Sequence, residues 1–183
     1  MNALETIARG PAGPLSLEFL QEQIAALADG GRREICAGHL DLGEDLWLSC
    51  DPGGQARLTL EPGEDGLVLE LVAGDSGRWS CLGMRIPADI LAQAQEAVLS
   101  LALHSTGLIA CSPVLRYFLP EGGFRDVGTG APLLLAPGAR AVHPGIPVDR
   151  ALAEQAAGCE LNLFFLNDRF RADRLRLEPR LQG

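Results

Sequence analysis

The sequence predicts a mainly β protein, an antiparallel and jelly-roll-like β-sandwich with one N-terminal helix. Three observations carry this expectation. Leu161, Leu163 and Phe165 alternate with Glu160, Asn162 and Phe164, and Leu175 and Leu177 lie between Arg174, Arg176 and Glu178. A period of two marks half-buried strands, because successive side chains leave opposite faces of the pleat. Glycine and proline are abundant, at 22 and 12 residues, as a turn-rich all-β fold requires. Roughly ten such runs follow one another with turn signals every 8 to 12 residues, the rhythm of a sandwich or barrel.

The elements follow in order. Residues 1–31 are read as a lead-in plus helix, and residues 32–183 as the sandwich, together one globular unit. A chain of this length buries about 70% of its unfolded surface, enough for a core without metals or disulfides. From Leu15 to Asp29 the apolar residues Leu17, Leu20, Ile24, Leu27 and Ala28 recur at helical spacing, with Ser16 as N-cap and Gly30-Gly31 as the stop. From Arg33 the period changes: Ile35, Ala37 and His39 share a strand face, then Leu46 and Leu48 flank Trp47. Asp51-Pro52-Gly53-Gly54 turns the chain into a hairpin of Leu58 and Leu60 against Leu67, Leu69 and Leu71. Further strands are expected over 78–86, 114–119, 124–127, 133–135 and 140–148. A helical turn is expected near Pro87, and a surface helix over 149–157 ending at Gly158. Glu96 to His104 fits either a strand from Ala97 or a helix continuing from Pro87; the strand is favoured. The closing runs, 160–165 and 170–181, read as a hairpin or as neighbours in a sandwich.

Composition limits the function classes. A net charge of −9 opposes nucleic acid as a partner, since phosphate binding needs a basic footprint. All 15 positive charges are arginine, which excludes lysine Schiff bases, a Walker-type phosphate loop and a Ser–Lys dyad. A GC-rich bacterial genome, which favours arginine codons, is the expected reason for the missing lysine. No apolar run reaches the roughly 18 residues of a membrane span, so no membrane partner is expected. The start, Met1 to Thr6, shows neither a basic nor an apolar signal region. Cys36, Cys50, Cys81, Cys111 and Cys159 are odd in number and form no CxxC, so they are expected to be reduced and mostly buried in a cytoplasmic protein.

No catalytic signature appears. His39, His104 and His143 stand alone, without HxH or HExxH spacing, and neither GxSxG nor a cysteine-protease motif is present. Neither a metal nor a cofactor is expected. Glu70 and Glu160 are the carboxylates that a glycan-cleaving groove would need to bring together. Five arginines cluster near the C-terminus, and Arg174 and Arg176 are expected on one strand face, balanced by Asp168, Asp173 and Glu178. Trp79 follows a Gly74-Asp75-Ser76-Gly77-Arg78 loop, where a ring stays free to stack on the C–H face of a sugar. The competing reading places Trp79 and Trp47 in the core.

The order of elements from about Arg33 to Leu181 resembles the β-jelly-roll of carbohydrate-binding modules, including the galactose-binding-like group. The closing segment Phe170 to Glu178 looks like the last strand of such modules. Leu99 to His104 followed by Val114 to Phe118 is similar to their central strands. The resemblance implies a non-catalytic module that binds a glycan. Trp79 would be its platform, with Arg78, Asp75, Tyr117 and Arg116 as polar or flanking contacts. The alternatives are a cytoplasmic protein-interaction or assembly module without a small-molecule site and, third, a sugar-acting enzyme. Homo-oligomerisation is compatible with any of these.

Overall fold

A computed structural model describes residues 16–72 and 79–183. Helix α1 spans Glu18–Ala26 and continues as a 3-10 turn over Leu27–Asp29, burying Leu20, Ile24 and Leu27 as their spacing predicts. The Ser16 hydroxyl accepts from the Glu18 N–H at 3.2 Å, although Leu17 occupies the N-cap position.

Fourteen strands follow among the described residues: β1 (Arg33–Ile35), β2 (Gly38–Asp41), β3 (Leu46–Cys50), β4 (Arg57–Gly63), β5 (Gly66–Val72), β6 (Ser80–Ile86), β7 (Glu96–Ser105), β8 (Ile109–Phe118), β9 (Phe124–Gly128), β10 (Leu133–Leu135), β11 (Gly138–Val142), β12 (Gly145–Pro147), β13 (Gly158–Phe165) and β14 (Phe170–Gln182). Two short helices, α2 (Ala88–Leu91) and α3 (Arg150–Gln155), complete the chain. The strands form two antiparallel sheets. The first has the order β1-β4-β5-β14-β7-β11, with β12 also on β7; the second runs β10-β8-β13-β6-β3-β2, with β9 on β8. The mainly β sandwich is therefore the observed fold.

Alternation decides what faces inward. Leu58, Leu60, Leu69, Leu99 and Leu101 of the first sheet meet Leu48, Leu82, Met84, Leu115 and Leu161 of the second in one continuous buried cluster. Burying each such side chain contributes about 1.5–3 kcal/mol. The ambiguous 96–104 run is strand β7, central to the first sheet, because every second residue from Ala97 to Leu103 reaches this core.

Several local expectations shift. Ile35 and His39 do not share a strand: β1 pairs with β4 in the first sheet and β2 with β3 in the second, the chain crossing over at Gly38, whose φ of 82° suits glycine. The closing strands are not a hairpin either. β13 lies in the second sheet and β14 in the first, with Asn167 between them accepting from the Ala110 N–H at 2.6 Å and donating to the Leu108 carbonyl at 3.0 Å. Helix α3 begins at Asp149, whose carboxylate accepts from the Leu152 N–H at 3.0 Å.

A bulge interrupts β14, with register shifts on both sides and Arg174 at φ 56°. Opposite it, Gly66 has φ 147°, and a Cβ there would lie 2.9 Å from the Leu175 carbonyl oxygen. Arg174 and Arg176 consequently do not sit as simple alternate positions, yet both turn to the same neighbour: Arg174 to the Asp65 carboxylate and Arg176 to its carbonyl. Arg171 meets Glu70 and Asp173, and Arg180 meets Glu178. The C-terminal arginines are thus balanced largely by the chain's own carboxylates.

All five cysteines are free, with Cys36 exposed and the other four buried. Burial pushes the Cys50, Cys111 and Cys159 thiols up to about 11, and Cys81 and Tyr117 up to about 12. The ordinary values are 9.0 for the thiols and 10.0 for tyrosine. Above pH 9 the unfolded chain has released protons that the native state retains, so stability falls as pH rises toward 11 and 12. Urea unfolding midpoints should therefore drop steadily above pH 9, and a midpoint unchanged at pH 10.5 would contradict the assignment. A thiol reagent at pH 8 should label Cys36 alone in the native protein and all five cysteines in denaturant.

Candidate functional site

Period-two alternation sends one set of second-sheet side chains outward, and strand register aligns them into rows. The central row runs from Gly128 and Val114 through Asn162 and Gly83 to Trp47 and Asp41. Below it lie Asp126, Arg116, Glu160 and Arg85. Above it lie Ser112, Phe164, Cys81, Ser49 and His39. Six strands therefore bring hydrogen-bonding groups and aromatic rings onto one surface.

Trp47 anchors this face. Its indole lies over Gly83, where an added Cβ would run into the ring and come within 2.6 Å of Asn162 Oδ1. Glycine at 83 is what lets the ring lie down, leaving Trp47 only 6% exposed. Asn162 is buried beside it, donating to Glu160 Oε2 at 3.2 Å and accepting a weak bond from the Cys81 thiol at 3.8 Å. Glu160 helps raise the Cys81 thiol, after the larger effect of burial, so this cysteine remains a neutral donor rather than a nucleophile.

Arg116 forms the other half of the site. Its Nε and Nη2 donate to the two Asp126 oxygens, each at 2.8 Å, and its guanidinium carbon stands 3.8 Å from the Phe124 ring centroid. Phe164 flanks it at 5.7 Å. Donation of these hydrogen bonds to Asp126 holds the guanidinium above its ordinary range, so it stays charged and fixed in direction.

At the far edge His39 bonds Ser49 Oγ through Nδ1 at 3.0 Å and Asp41 Oδ1 through Nε2 at 2.9 Å, with its ring 5.6 Å from that of Trp47. The Ser–His–Asp order does not make a nucleophile here. Asp41 is 78% exposed, so water screens the carboxylate that would have to stabilise an imidazolium, while the serine oxygen is the buried member. The chain of bonds fixes polar groups at the edge of the face.

The residues singled out from sequence separate. Trp79 is 37% exposed and sits at the entrance to β6, its carbonyl accepting from the Asp51 N–H at 2.9 Å. Arg116 lies on the outer face. Tyr117, its neighbour, points the opposite way into the core, and its hydroxyl accepts from the Asp149 N–H at 3.1 Å; it is no surface contact. Asp75 and Arg78 lie outside the described residues. Glu70 and Glu160 occupy strands of opposite sheets and face away from each other, so they cannot flank one glycosidic bond. His39 is on the second sheet and His104 on the first, which keeps the three histidines from converging.

Sequence reasoning overlooked Trp47, Asn162, Asp126 and Phe124 as members of one site. Parity within each strand put them on the outward side, but only register places them beside one another.

No protein-family model matches this chain, and no curated protein matches it. Solved structures do. The CBM22-1 xylan-binding domain of Paenibacillus barcinonensis Xyn10C aligns over 96% of this chain and 99% of its own, at 10% identity and TM-score 0.51. The C-terminal family 22 carbohydrate-binding module of Clostridium thermocellum Xyn10B aligns over 75% and 84%, at 9% identity and TM-score 0.50. A structure described as CBM4 aligns over 80% and 94%, at 11% identity and TM-score 0.50. The chain thus shares the β-sandwich fold of carbohydrate-binding modules; identities this low speak to fold alone.

Gly83→Ala should force the indole of Trp47 off the sheet. The expected cost is about 1–3 kcal/mol, read as a lower urea midpoint with an unchanged slope. An unaltered midpoint would show that the ring does not depend on the missing Cβ.

Proposed function

We propose that this protein is a non-catalytic carbohydrate-binding module whose ligand lies across the outer face of the second sheet. The observation that carries this reading is the juxtaposition on that face of the Phe164 and Phe124 rings with directional polar groups from several strands (Glu160, Arg116, Asp126, His39), over a floor made by the buried Trp47 and Asn162. Sugars need both: rings meet their C–H faces, and paired donors and acceptors fix their hydroxyls. Trp79, at the end of the same face, serves as the stacking platform, and Arg116 as a polar contact. The fold shared with carbohydrate-binding modules supports the assignment.

Charge balance narrows the ligand. Arg116 is neutralised by Asp126, and Arg85 faces Asp45 at 3.7 Å. With Arg116 and Arg85 of the described residues already paired, this part of the surface suits a neutral glycan rather than an anionic one.

The test is a broad glycan array with the wild type, Trp79→Ala and Glu160→Gln. Selective binding to neutral glycans is expected, weakened at least about tenfold in either variant, which corresponds to roughly 1.4 kcal/mol. Wild-type binding undiminished in both variants would move the ligand off this face, and no binding across the array would reject the reading.

A specific feature favours a second reading, a protein-interaction module. Leu134 is 67% and Leu166 53% exposed, and both are joined to Ala110 in one row that leads toward Trp79. Such a row suits an apolar partner surface. Light scattering that shows mass rising with concentration, reversed by Leu134→Asp, would favour self-association through this edge. A strict monomer would count against it.

A further inference from the structure

Two cysteines that take no part in the outer face are brought close where the chain changes sheets. β1 is an edge strand of the first sheet and β2 an edge strand of the second. A strap of only two residues, Cys36-Ala37, joins them; it is exposed and belongs to neither ladder. Beside it the chain makes the return crossing, from Cys50 at the end of β3 to Arg57 at the start of β4.

Register places Cys50 against the strap from both ends. In the second sheet Gly38 is the direct partner of Cys50. Partners in an antiparallel ladder have Cα atoms about 4.5–5.5 Å apart, close to the separation that a disulfide spans. In the first sheet Ile35, the residue before Cys36, is the partner of Leu58, whose backbone hydrogen-bonds the Cys50 thiol. Burial is the main cause that raises this thiol to about 11, and Cys36 is near enough to add to the effect.

Nothing bulky keeps the pair apart. Gly38 has no side chain to stand between them, and an added Cβ there would meet no atom within 4 Å, so the strap has room to turn inward. The other thiols are worse placed. Cys81 is the partner of Ser49, so it leaves the opposite face of the sheet from Cys50. Cys111 and Cys159 belong to β8 and β13, on the far side of β6 from β3.

We infer that Cys36 and Cys50 form a redox pair, a modification site whose disulfide fastens the open side of the sandwich. The exposed Cys36 thiolate attacks a low-molecular-weight disulfide, such as glutathione disulfide, and expels one glutathione thiolate. Cys50 loses its proton to solvent, and its sulfur attacks the Cys36 sulfur and expels the second glutathione thiolate. One small disulfide becomes two thiols while two protein thiols become one disulfide. The bond holds both edge strands together at the place where a sheet frays first, and it restricts the unfolded chain.

The test incubates the reduced full chain with glutathione disulfide at pH 8.5 until its composition no longer changes. Peptide mapping by mass spectrometry without reductant then locates the bond. A peptide joining Cys36 to Cys50 is expected, with the thiols titratable in denaturant falling from five to three. The urea midpoint of the oxidised protein should rise and return to its reduced value in dithiothreitol. Cys36→Ser, at an exposed position, should keep every remaining thiol free, and Cys50→Ala should stop with one glutathione on Cys36. Far-UV circular dichroism establishes that each variant is folded, and the wild-type map with Cys36→Ser decides the matter even if Cys50→Ala does not fold. Wild-type protein that retains glutathione on Cys36, joins Cys36 to a second copy, or bonds it to a different cysteine would overturn the inference. So would an oxidised protein whose urea midpoint is unchanged or lower.

Discussion

The leucine-rich contact between the two inner faces is the constraint from which the rest follows. A strand that slips by one residue exchanges its buried and exposed sets, at a cost of several core side chains at once. Leu48 and Leu82 cannot both remain buried unless Trp47 and Gly83 also stand side by side, because they occupy the same cross-strand ladder. The outer surface of the second sheet is therefore ordered by contacts on its hidden side. Hydrophobic burial, which has no direction of its own, positions polar groups that do.

The polar groups on that face are each tied to a neighbour. Asn162 is bound to Glu160 and Cys81, Arg116 is bound at two points to Asp126 and rests on Phe124, and His39 is tied at both ring nitrogens. Groups fixed before a ligand arrives lose little entropy on binding, which is the advantage of building a recognition surface on strands rather than on loops. The opposite sheet uses charge differently. There Arg171, Arg174 and Arg180 are matched by nearby carboxylates in largely exposed pairs that contribute little to stability and serve mainly to solvate the face.

The legible parts of the chain were those governed by local period. The helix over Glu18–Ala26, the β4–β5 hairpin and the capped helix after Asp149 follow from spacing and turn residues alone. Strand pairing over long separations was not legible. The runs around β13 and β14 are adjacent in sequence and alike in pattern, yet Leu163 faces the core from one sheet and Leu175 from the other. The same limit applied to the site. Tyr117 and Arg116 are sequence neighbours, and one lies in the core while the other lies on the surface, as adjacent residues on a strand must. Glu70 and Glu160 have equivalent local settings but opposite destinations.

What this sequence determined by itself is the class of fold, the existence of most elements, and which residues of each strand share a side. These depend on interactions between residues a few positions apart, where geometry is set by the backbone period. Tertiary structure decided which strands meet, that Trp47 lies on Gly83 next to Asn162, and that Tyr117 is core. Those outcomes depend on register between segments tens of residues apart, and the free energy that selects it comes from the shared core rather than from either strand alone.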